Sequence, residues 1–280
     1  MNSDITKLMS DKIDENDSSR APINLNISNM IPINLKLLMW YNYEIPPNKL
    51  KMTNTGRTVI INGEWNMERP YLTSGPLLND YSFSQIHFHW GPNDMIGSEH
   101  FLDGGSQPME LHAVHYKTEY LNQESAMTQI DGIIILVYLF KLQTSVNPAF
   151  NSIITSLPLI HQPCSTVHIV NEPLIKILRP FIQDYFLYRG AITKGDFSHW
   201  IKWLISREPI GISLEQTAEF RKLNNKKYKP NLNNCKQLRD EKNTCVFHIN
   251  PSGSCYASLL PIPRDSPPLT ASQRAFTMEN

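Results

Sequence analysis

The sequence predicts a mixed, mainly β fold: one large twisted sheet, mostly antiparallel, with short helices at its periphery. Runs rich in β-branched and aromatic residues recur along the chain, whereas segments with helix-start signals are few and short. No internal repeat is visible in the 280 residues, and a chain of this length can bury a single large core.

Strands are predicted, in chain order, at 37–41, 58–61, 64–67, 84–90, 109–117 and 132–142. Asn62-Gly63 is a pair that two-residue hairpins prefer, so the second and third of these strands are expected to form a hairpin. The run from Gly132 to Leu142 is almost unbroken Ile, Leu, Val, Tyr and Phe, which is typical of a central strand buried on both faces.

Two segments carry helix-start signals. Asn147-Pro148 combines a capping asparagine with a proline at the first helical position, which predicts a helix running toward Leu157. Ser213-Leu214-Glu215-Gln216 has the pattern of a capping box, which predicts a helix ending near Leu223.

Composition favours a globular protein without affinity for nucleic acid or anionic membranes. Lys plus Arg and Asp plus Glu each number 26, so the formal net charge is zero. The longest apolar run, Gly132 to Phe140, is about half the length that spans a bilayer, and residues 1–7 lack the apolar core of a signal peptide. We therefore expect no membrane span and a cytoplasmic location, with secretion the less favoured alternative. The four cysteines show no Cys-x-x-Cys spacing and are expected to be free thiols.

The segment Gln85-Ile86-His87-Phe88-His89-Trp90-Gly91 contains two histidines one residue apart. Side chains alternate across a strand, so His87 and His89 share a face about 6.6 Å apart along the chain and can lean onto one ion. Such a pair is also compatible with two half-buried polar side chains that bind no metal.

A third candidate ligand lies on the next predicted strand. Glu110, His112 and Val114 share one face of the run 109–117, whereas His115 falls on the other face and is excluded. Neighbouring strands are about 4.8 Å apart, so His112 can lie beside the first pair. Three neutral imidazoles and a water make a catalytic rather than a structural zinc site, and a nearby carboxylate such as Glu110 fixes a ligand tautomer.

These segments resemble the zinc-binding core of the α-class carbonic anhydrases. The resemblance extends in order over most of the chain from about Ala21 to Leu223, and it implies the family's sheet of about ten strands. The matching residues are Ser74-Gly75-Pro76-Leu77, His87-Phe88-His89-Trp90-Gly91, Gly97-Ser98-Glu99-His100, Glu110-Leu111-His112-Ala113-Val114-His115, Asp184-Tyr185-Phe186, Tyr188, Gly190, Thr193, Trp203, Glu208-Pro209-Ile210 and Phe220-Arg221-Lys222-Leu223.

The resemblance implies Zn²⁺ as cofactor and carbon dioxide and bicarbonate as substrates, with sulfonamides and anions as inhibitors. It implies that Thr193 and Glu99 together aim the attacking hydroxide, and that Gln85 and Glu110 hold His87 and His112. The expected apolar wall of the carbon dioxide pocket consists of Val114, Ile135, Ile192, Ile201 and Trp203.

The sequence departs from the family at several positions. Arg57 stands where the fast enzymes have a proton-shuttling histidine, and arginine stays protonated at any working pH. Lys194-Gly195-Asp196 follows Thr193 where the family has a threonine and two prolines, and a lysine near the zinc is expected to favour bound anions. Ile135 and Val137 are bulkier than the usual residues and are expected to narrow the pocket.

The expected domain organisation is a disordered tail at 1–20, a carbonic-anhydrase-like domain at 21–260 and a disordered Pro- and Ser-rich tail at 261–280. Nothing before Ala21 matches the family's amino-terminal segment, and its final strand is hard to find, since Asn234-Cys235-Lys236 only faintly matches the family pattern. Five other histidines (His100, His161, His168, His199 and His248) lack paired spacing and are expected to be structural or surface residues.

Two hypotheses about function follow. The first is a zinc lyase that hydrates carbon dioxide, more slowly than the fastest family members. The second is a weakly active or inactive relative that serves as a binding module on the same scaffold. The presence of all three zinc histidines favours the enzyme.

Overall fold

β-Strands make up most of the regular structure in the computed structural model, which describes residues 20–194, 197–236, 238 and 244–252. The strands are Asn24–Leu25 (β1), Ile31–Ile33 (β2), Leu38–Tyr41 (β3), Lys49–Asn54 (β4), Val59–Glu64 (β5), Tyr71–Ser74 (β6), Tyr81–Trp90 (β7), Phe101–Leu102 (β8), Met109–Lys117 (β9), Ile133–Leu142 (β10), Thr166–Ile169 (β11), Tyr185–Lys194 (β12), Phe197–Ser206 (β13), Ile210–Ile212 (β14) and Phe247–Ile249 (β15).

The helices are short. The α-helices are Gln123–Met127 (α1), Asn151–Ser156 (α2) and Leu214–Arg221 (α3). Single 3-10 turns lie at Ile27–Asn29, Thr118–Tyr120, Pro148–Phe150, Leu157–Ile160 and Leu174–Lys176.

Thirteen of the strands form one sheet. Ten follow a continuous path in the order β11-β4-β5-β7-β9-β10-β13-β12-β15-β2, while β14 pairs with β10, and β3 and β6 extend from β7. Most neighbours are antiparallel, the exceptions in this sheet being β10 with β13, β10 with β14, and β15 with β2. The predicted fold class is confirmed.

The middle of the sheet is buried on both faces, as predicted for the run 132–142. Alternate residues of β10 pack into two different apolar clusters, one on each side of the sheet. Ile134, Leu136, Tyr138 and Phe140 belong to the first cluster, and Ile133, Ile135, Val137 and Leu139 to the second. Odd- and even-numbered residues of β10 therefore point to opposite faces of the sheet and pack into different apolar clusters.

Both predicted helix starts are confirmed. Asn147 Oδ1 accepts a hydrogen bond from the backbone N–H of Ala149 at 3.1 Å, ahead of Pro148. Ser213 and Gln216 form the complete capping box at the start of α3. The first helical segment changes from a 3-10 turn to α2 and back to a 3-10 turn, so it is less regular than predicted.

The predicted hairpin at Asn62-Gly63 is wrong. Both residues lie inside β5, opposite Lys51 and Leu50 of β4, and the turn between these strands is at 55–58. A Cβ at Gly63 would lie 2.7 Å from the Trp65 ring, so this glycine allows the tryptophan to fold back over the strand instead of forming a turn.

The strand β15 was not predicted from the sequence. It has only three residues, which is too short for a period-two pattern, yet it joins β12 to β2. Apart from Arg20, the two predicted tails lie outside the described residues, so the predicted domain limits stay predictions. Cys164 and Cys235 are free thiols, as predicted. Within the described ranges, no helix is long and apolar enough to cross a bilayer.

Candidate metal centre

The pairing of β7 with β9 brings the three candidate ligands together. His87 is directly opposite His112, and His89 is opposite Glu110. Ile86, Phe88 and Trp90 alternate with the histidines and are buried in the cluster on the other side of the sheet. The period of two thus separates the core-forming residues of β7 from its polar ones.

The ring nitrogens of these histidines converge on one point. His112 Nδ1 is 3.2 Å from His87 Nε2, and one nitrogen of each of the three rings lies within 4.8 Å of the others. Two nitrogens bound to one tetrahedral zinc at about 2.0–2.1 Å are about 3.3 Å apart. The spacing of the first pair therefore fits a shared metal ion.

Glu110 fixes the orientation of the His112 ring. Its Oε1 accepts hydrogen bonds from His112 Nε2 and, at 2.7 Å, from His100 Nδ1. Its Oε2 accepts from the backbone N–H groups of Glu99 and His100 at 2.9 and 2.8 Å. Because Nε2 of His112 donates to the carboxylate, Nδ1 is left with the lone pair that a metal requires.

Two polar side chains in the centre lack partners. Neither ring nitrogen of His89 makes a hydrogen bond of normal geometry within the described part of the chain, although Glu99 Oε1 is 3.3 Å from its Nδ1 and, against the larger effect of burial, the Asn234 backbone raises its pKa. Gln85 Oε1 is likewise buried without a partner there. Buried polar atoms normally have hydrogen-bond partners, so the lack of one at the His89 ring is consistent with a role as a metal ligand.

Burial favours the neutral forms of His87 and His89. Burial lowers the pKa of His87 well below its usual value, with help from His112, His89 and the charge of Lys236. Burial also lowers the pKa of His89. Burial alone would raise the pKa of Glu110, but His100 and His112 outweigh it and hold that pKa well below the usual range. Neutral imidazoles beside an ionised carboxylate are the forms that bind zinc.

Thr193 and Glu99 are not joined in the structure. Glu99 is buried, and its Oε1 accepts from the backbone N–H of Lys236 at 3.0 Å. Thr193 is exposed because it continues β12 and pairs with Ser198 in β13, and no hydrogen bond within the described ranges links it to Glu99. A cavity of about 360 Å³ borders this region, lined by Arg20, Ala21, Pro22, Ala191, Ile192, Thr193, Lys236 and Leu238.

The expected apolar wall forms one cluster on the face of the sheet that carries the histidines. Val114, Ile135, Ile201 and Trp203 are buried in it, and Ile192 is partly buried against it. The His112 and Trp203 rings are 5.4 Å apart, which places the wall beside the centre.

One of the two altered positions lies in a turn, and the other is the last residue of a strand. Arg57 is exposed in the turn after β4, and its carbonyl oxygen accepts from the side-chain amides of Asn231 and Asn234 at 2.8 and 3.0 Å. Lys194 ends β12, and the next two residues lie outside the described ranges. The effects expected of these residues stay predictions.

Two further residues contribute to the centre, of which His100 was expected only to be a structural or surface residue. His100 is fully buried between Glu110 and Tyr188, whose hydroxyl is 2.6 Å from His100 Nε2, so it is a structural residue of the centre itself. Lys236 supplies both the amide that binds Glu99 and a positive charge near His87 and His89. In the sequence, only the faint match of Asn234-Cys235-Lys236 to the family pattern pointed to Lys236.

The fold and this centre define a β-sheet protein with a three-histidine group that can hold a metal ion. The family model for eukaryotic-type carbonic anhydrase matches residues 10–250, so the chain belongs to that family. The match begins before Ala21 and ends beyond Leu223, the limits of the resemblance recognised in the sequence.

Two curated relatives agree with this assignment. The chain is 30% identical over 215 residues to "Putative carbonic anhydrase 5" of Caenorhabditis elegans, covering 76% of this chain and 69% of the relative. It is 32% identical over 179 residues to "Carbonic anhydrase 1" of Oryctolagus cuniculus, covering 64% of this chain and 75% of the relative.

Proposed function

We propose that the protein is a zinc-dependent carbonic anhydrase that converts carbon dioxide and water reversibly into bicarbonate and a proton. The single observation that carries the proposal is the 3.2 Å separation of His112 Nδ1 from His87 Nε2 beside the unpartnered ring of His89. Membership of the carbonic anhydrase family supports the same reaction.

In this proposal His87, His89 and His112 hold the metal. A zinc ion held by these three imidazoles would supply a water of lowered pKa, about 7 in carbonic anhydrases in general. Glu110 keeps His112 in the ligating tautomer, and the contacts of Glu110 with two backbone N–H groups hold the carboxylate in place.

Substrate orientation is assigned to Thr193, Glu99 and the apolar wall. The hydroxyl of Thr193 would accept a hydrogen bond from the attacking oxygen and donate its own proton to Glu99. This role requires the end of the β12–β13 hairpin to bring Thr193 toward Glu99, whose Oε1 now accepts from Lys236 N–H. An uncharged substrate needs only apolar walls, which Val114 and Trp203 provide.

We propose that turnover is slower than in the fastest family members. Arg57 cannot release a proton near neutral pH, so proton transfer to solvent would depend on buffer. Positive charge from Lys194 would favour bound anions, including the bicarbonate product. Sulfonamides and anions are the proposed inhibitors, and the cytoplasm is the proposed location.

The second candidate function is a binding module with little or no activity. The separation of exposed Thr193 from buried Glu99 favours it, because this pair is what aims the nucleophile in the family. The two candidates make opposite predictions for the same assay.

Stopped-flow carbon dioxide hydration by the zinc-loaded protein tests the proposal. We expect hydration that an aromatic sulfonamide abolishes and that rises with imidazole concentration. One zinc bound per chain without hydration would refute the enzyme and leave the binding module. A His89→Ala protein provides the matched control, because it should bind zinc weakly and give only the buffer rate.

A further inference from the structure

Gln123, on the short helix α1, contacts two residues of β7 through one oxygen. Its Oε1 atom is 2.6 Å from Ser84 Oγ and 3.3 Å from Gln85 Nε2. A carbonyl oxygen can only accept hydrogen bonds, so it selects the NH₂ end of the Gln85 amide. The contact therefore determines which end of that amide points away from α1.

The other end of the amide belongs to the metal centre. Gln85 Oε1 is buried and has no partner within the described part of the chain. Gln85 and His87 are two residues apart on β7 and share a face. With zinc bound at His87 Nε2, the atom that faces His112 Nδ1, the proton of the neutral His87 ring is on Nδ1. A buried acceptor without a donor thus lies on the same strand face as a ring N–H.

We propose that Gln123 is a positioning residue for the metal centre. It holds the NH₂ end of the Gln85 amide toward α1, so that Gln85 Oε1, which has no partner in the described part of the chain, can turn to accept from His87 Nδ1–H when zinc occupies His87 Nε2. That bond would select the tautomer that presents Nε2 to zinc. The inference rests on the proposed function, because it assumes zinc at the three histidines. Without Gln123, the Gln85 amide is free to turn over and present NH₂, which cannot accept the proton of His87.

The position of Gln123 follows from the docking of α1. Asn122 Oδ1 caps the helix by accepting from Ser125 N–H at 2.9 Å, and Ala126 is fully buried. A Cβ at Gly132 would lie 1.8 Å from the carbonyl oxygen of Ala126, so only glycine permits this close approach at the start of β10. Gln123 is therefore presented to β7 from an anchored element.

Gln123→Met is the principal test, because methionine matches glutamine in length and helix propensity but offers only a weak acceptor. Two quantities are measured on the zinc-loaded protein: the rate of zinc release to a chelator, and the His87 Nδ1–H signal in ¹H–¹⁵N spectra of the imidazoles. We expect zinc release to become about tenfold faster, the lower end of the effect of losing a partner of a metal ligand, and the His87 signal to shift.

Three comparisons separate positioning from a structural role. Gln123→Glu keeps an acceptor oxygen and should restore both quantities. Gln129→Met, at an exposed glutamine whose Nε2 contacts Thr128 Oγ1, should change neither. If Gln123 acts through Gln85, the double variant Q85L/Q123M should release zinc no faster than Q85L alone.

Wild-type zinc release and an unchanged His87 signal in Q123M would overturn the inference, even if its melting temperature fell, and would leave the proposed function intact. A wild-type protein that binds no zinc would refute both. Should Q123M fail to fold, Gln123→Ala replaces it, because alanine removes the acceptor and favours the helix.

Discussion

Val137 of β10 lies directly opposite His112 of β9. The valine side chain is fully buried and belongs to the same apolar cluster as Trp203 and Ile135. The side chain of Val137, which is bulkier than the residue expected at this position, therefore lies against a candidate zinc ligand and the expected substrate wall.

Val137→Ala should open space beside His112. We expect kcat/KM for carbon dioxide to rise by up to about tenfold, the effect of a methyl-sized change in an apolar pocket. The same change should lower the free energy of unfolding by about 1–3 kcal/mol because it leaves a cavity. Val59→Ala is the control, since Val59 is equally buried but belongs to the cluster on the other side of the sheet. Equal activity in the two variants would contradict the prediction.

Glu110→Gln should weaken zinc binding by about 10- to 100-fold. The carboxylate accepts from His112, His100 and two backbone N–H groups, whereas an amide turns one of those acceptors into a donor. Competition with a chromophoric chelator measures the affinity. Glu64→Gln, at an exposed carboxylate on β5, should leave the affinity unchanged.

Zinc should stabilise the folded protein. With free zinc at 100 times its dissociation constant, the free energy of unfolding should increase by about 2.7 kcal/mol. Thermal unfolding with zinc and with chelator measures this gain. His89→Ala should remove it, and His168→Ala, at an exposed histidine on β11, should retain it. An unchanged gain in the first variant would exclude His89 as a ligand.

His115 should make the fold sensitive to acid. Its Nδ1–H donates to the carbonyl oxygen of Ala113, the Tyr43 hydroxyl donates to its Nε2, and burial lowers its pKa to about 3. Between that value and about 6.5 the unfolded chain binds a proton that the folded chain does not, so stability falls as pH falls through this range.

The expected loss from this residue between pH 7 and pH 4.5 is about 2–3 kcal/mol. Urea unfolding of wild type and His115→Gln at both pH values isolates it, because other titrating groups are common to the two proteins. Parallel pH profiles would show that His115 does not contribute.

Arg57→His should reduce the dependence of turnover on buffer. A histidine titrates near neutral pH and can pass protons to solvent, so kcat at low buffer should rise by about tenfold or more. Arg57→Gln removes the charge without adding a titrating group and should show no such rise. Equal kcat in both variants would mean that another step limits turnover.

The sheet and the convergence of the histidines were predictable because both follow from side-chain alternation. Alternate residues of the run from Gly132 to Leu142 enter opposite clusters. The same alternation places His87, His89 and His112 on one face of the sheet. That alternation also excluded His115 from the centre, and the structure places it against Tyr43 on the other side of the sheet.

Contacts made by loops were not predictable in this way. The role of Gly63 depends on Trp65 folding over it, and that of His100 on a hydrogen bond to Glu110 across ten residues of chain. Lys236 reaches Glu99 from 137 residues away. No local pattern marks such pairs, because the tertiary fold alone brings them together.

The four hydrogen bonds of Glu110 also bear on when during folding the centre is completed. Three of the donors belong to the segment just before β8: the backbone N–H groups of Glu99 and His100 and the His100 ring. The fourth donor is His112 on β9, and the other two candidate ligands, His87 and His89, are on β7. The three imidazoles can therefore be oriented as a set only after these segments have come together. Binding of zinc by all three histidines therefore requires these segments to have docked, so zinc uptake measured during refolding would report when this part of the sheet has assembled.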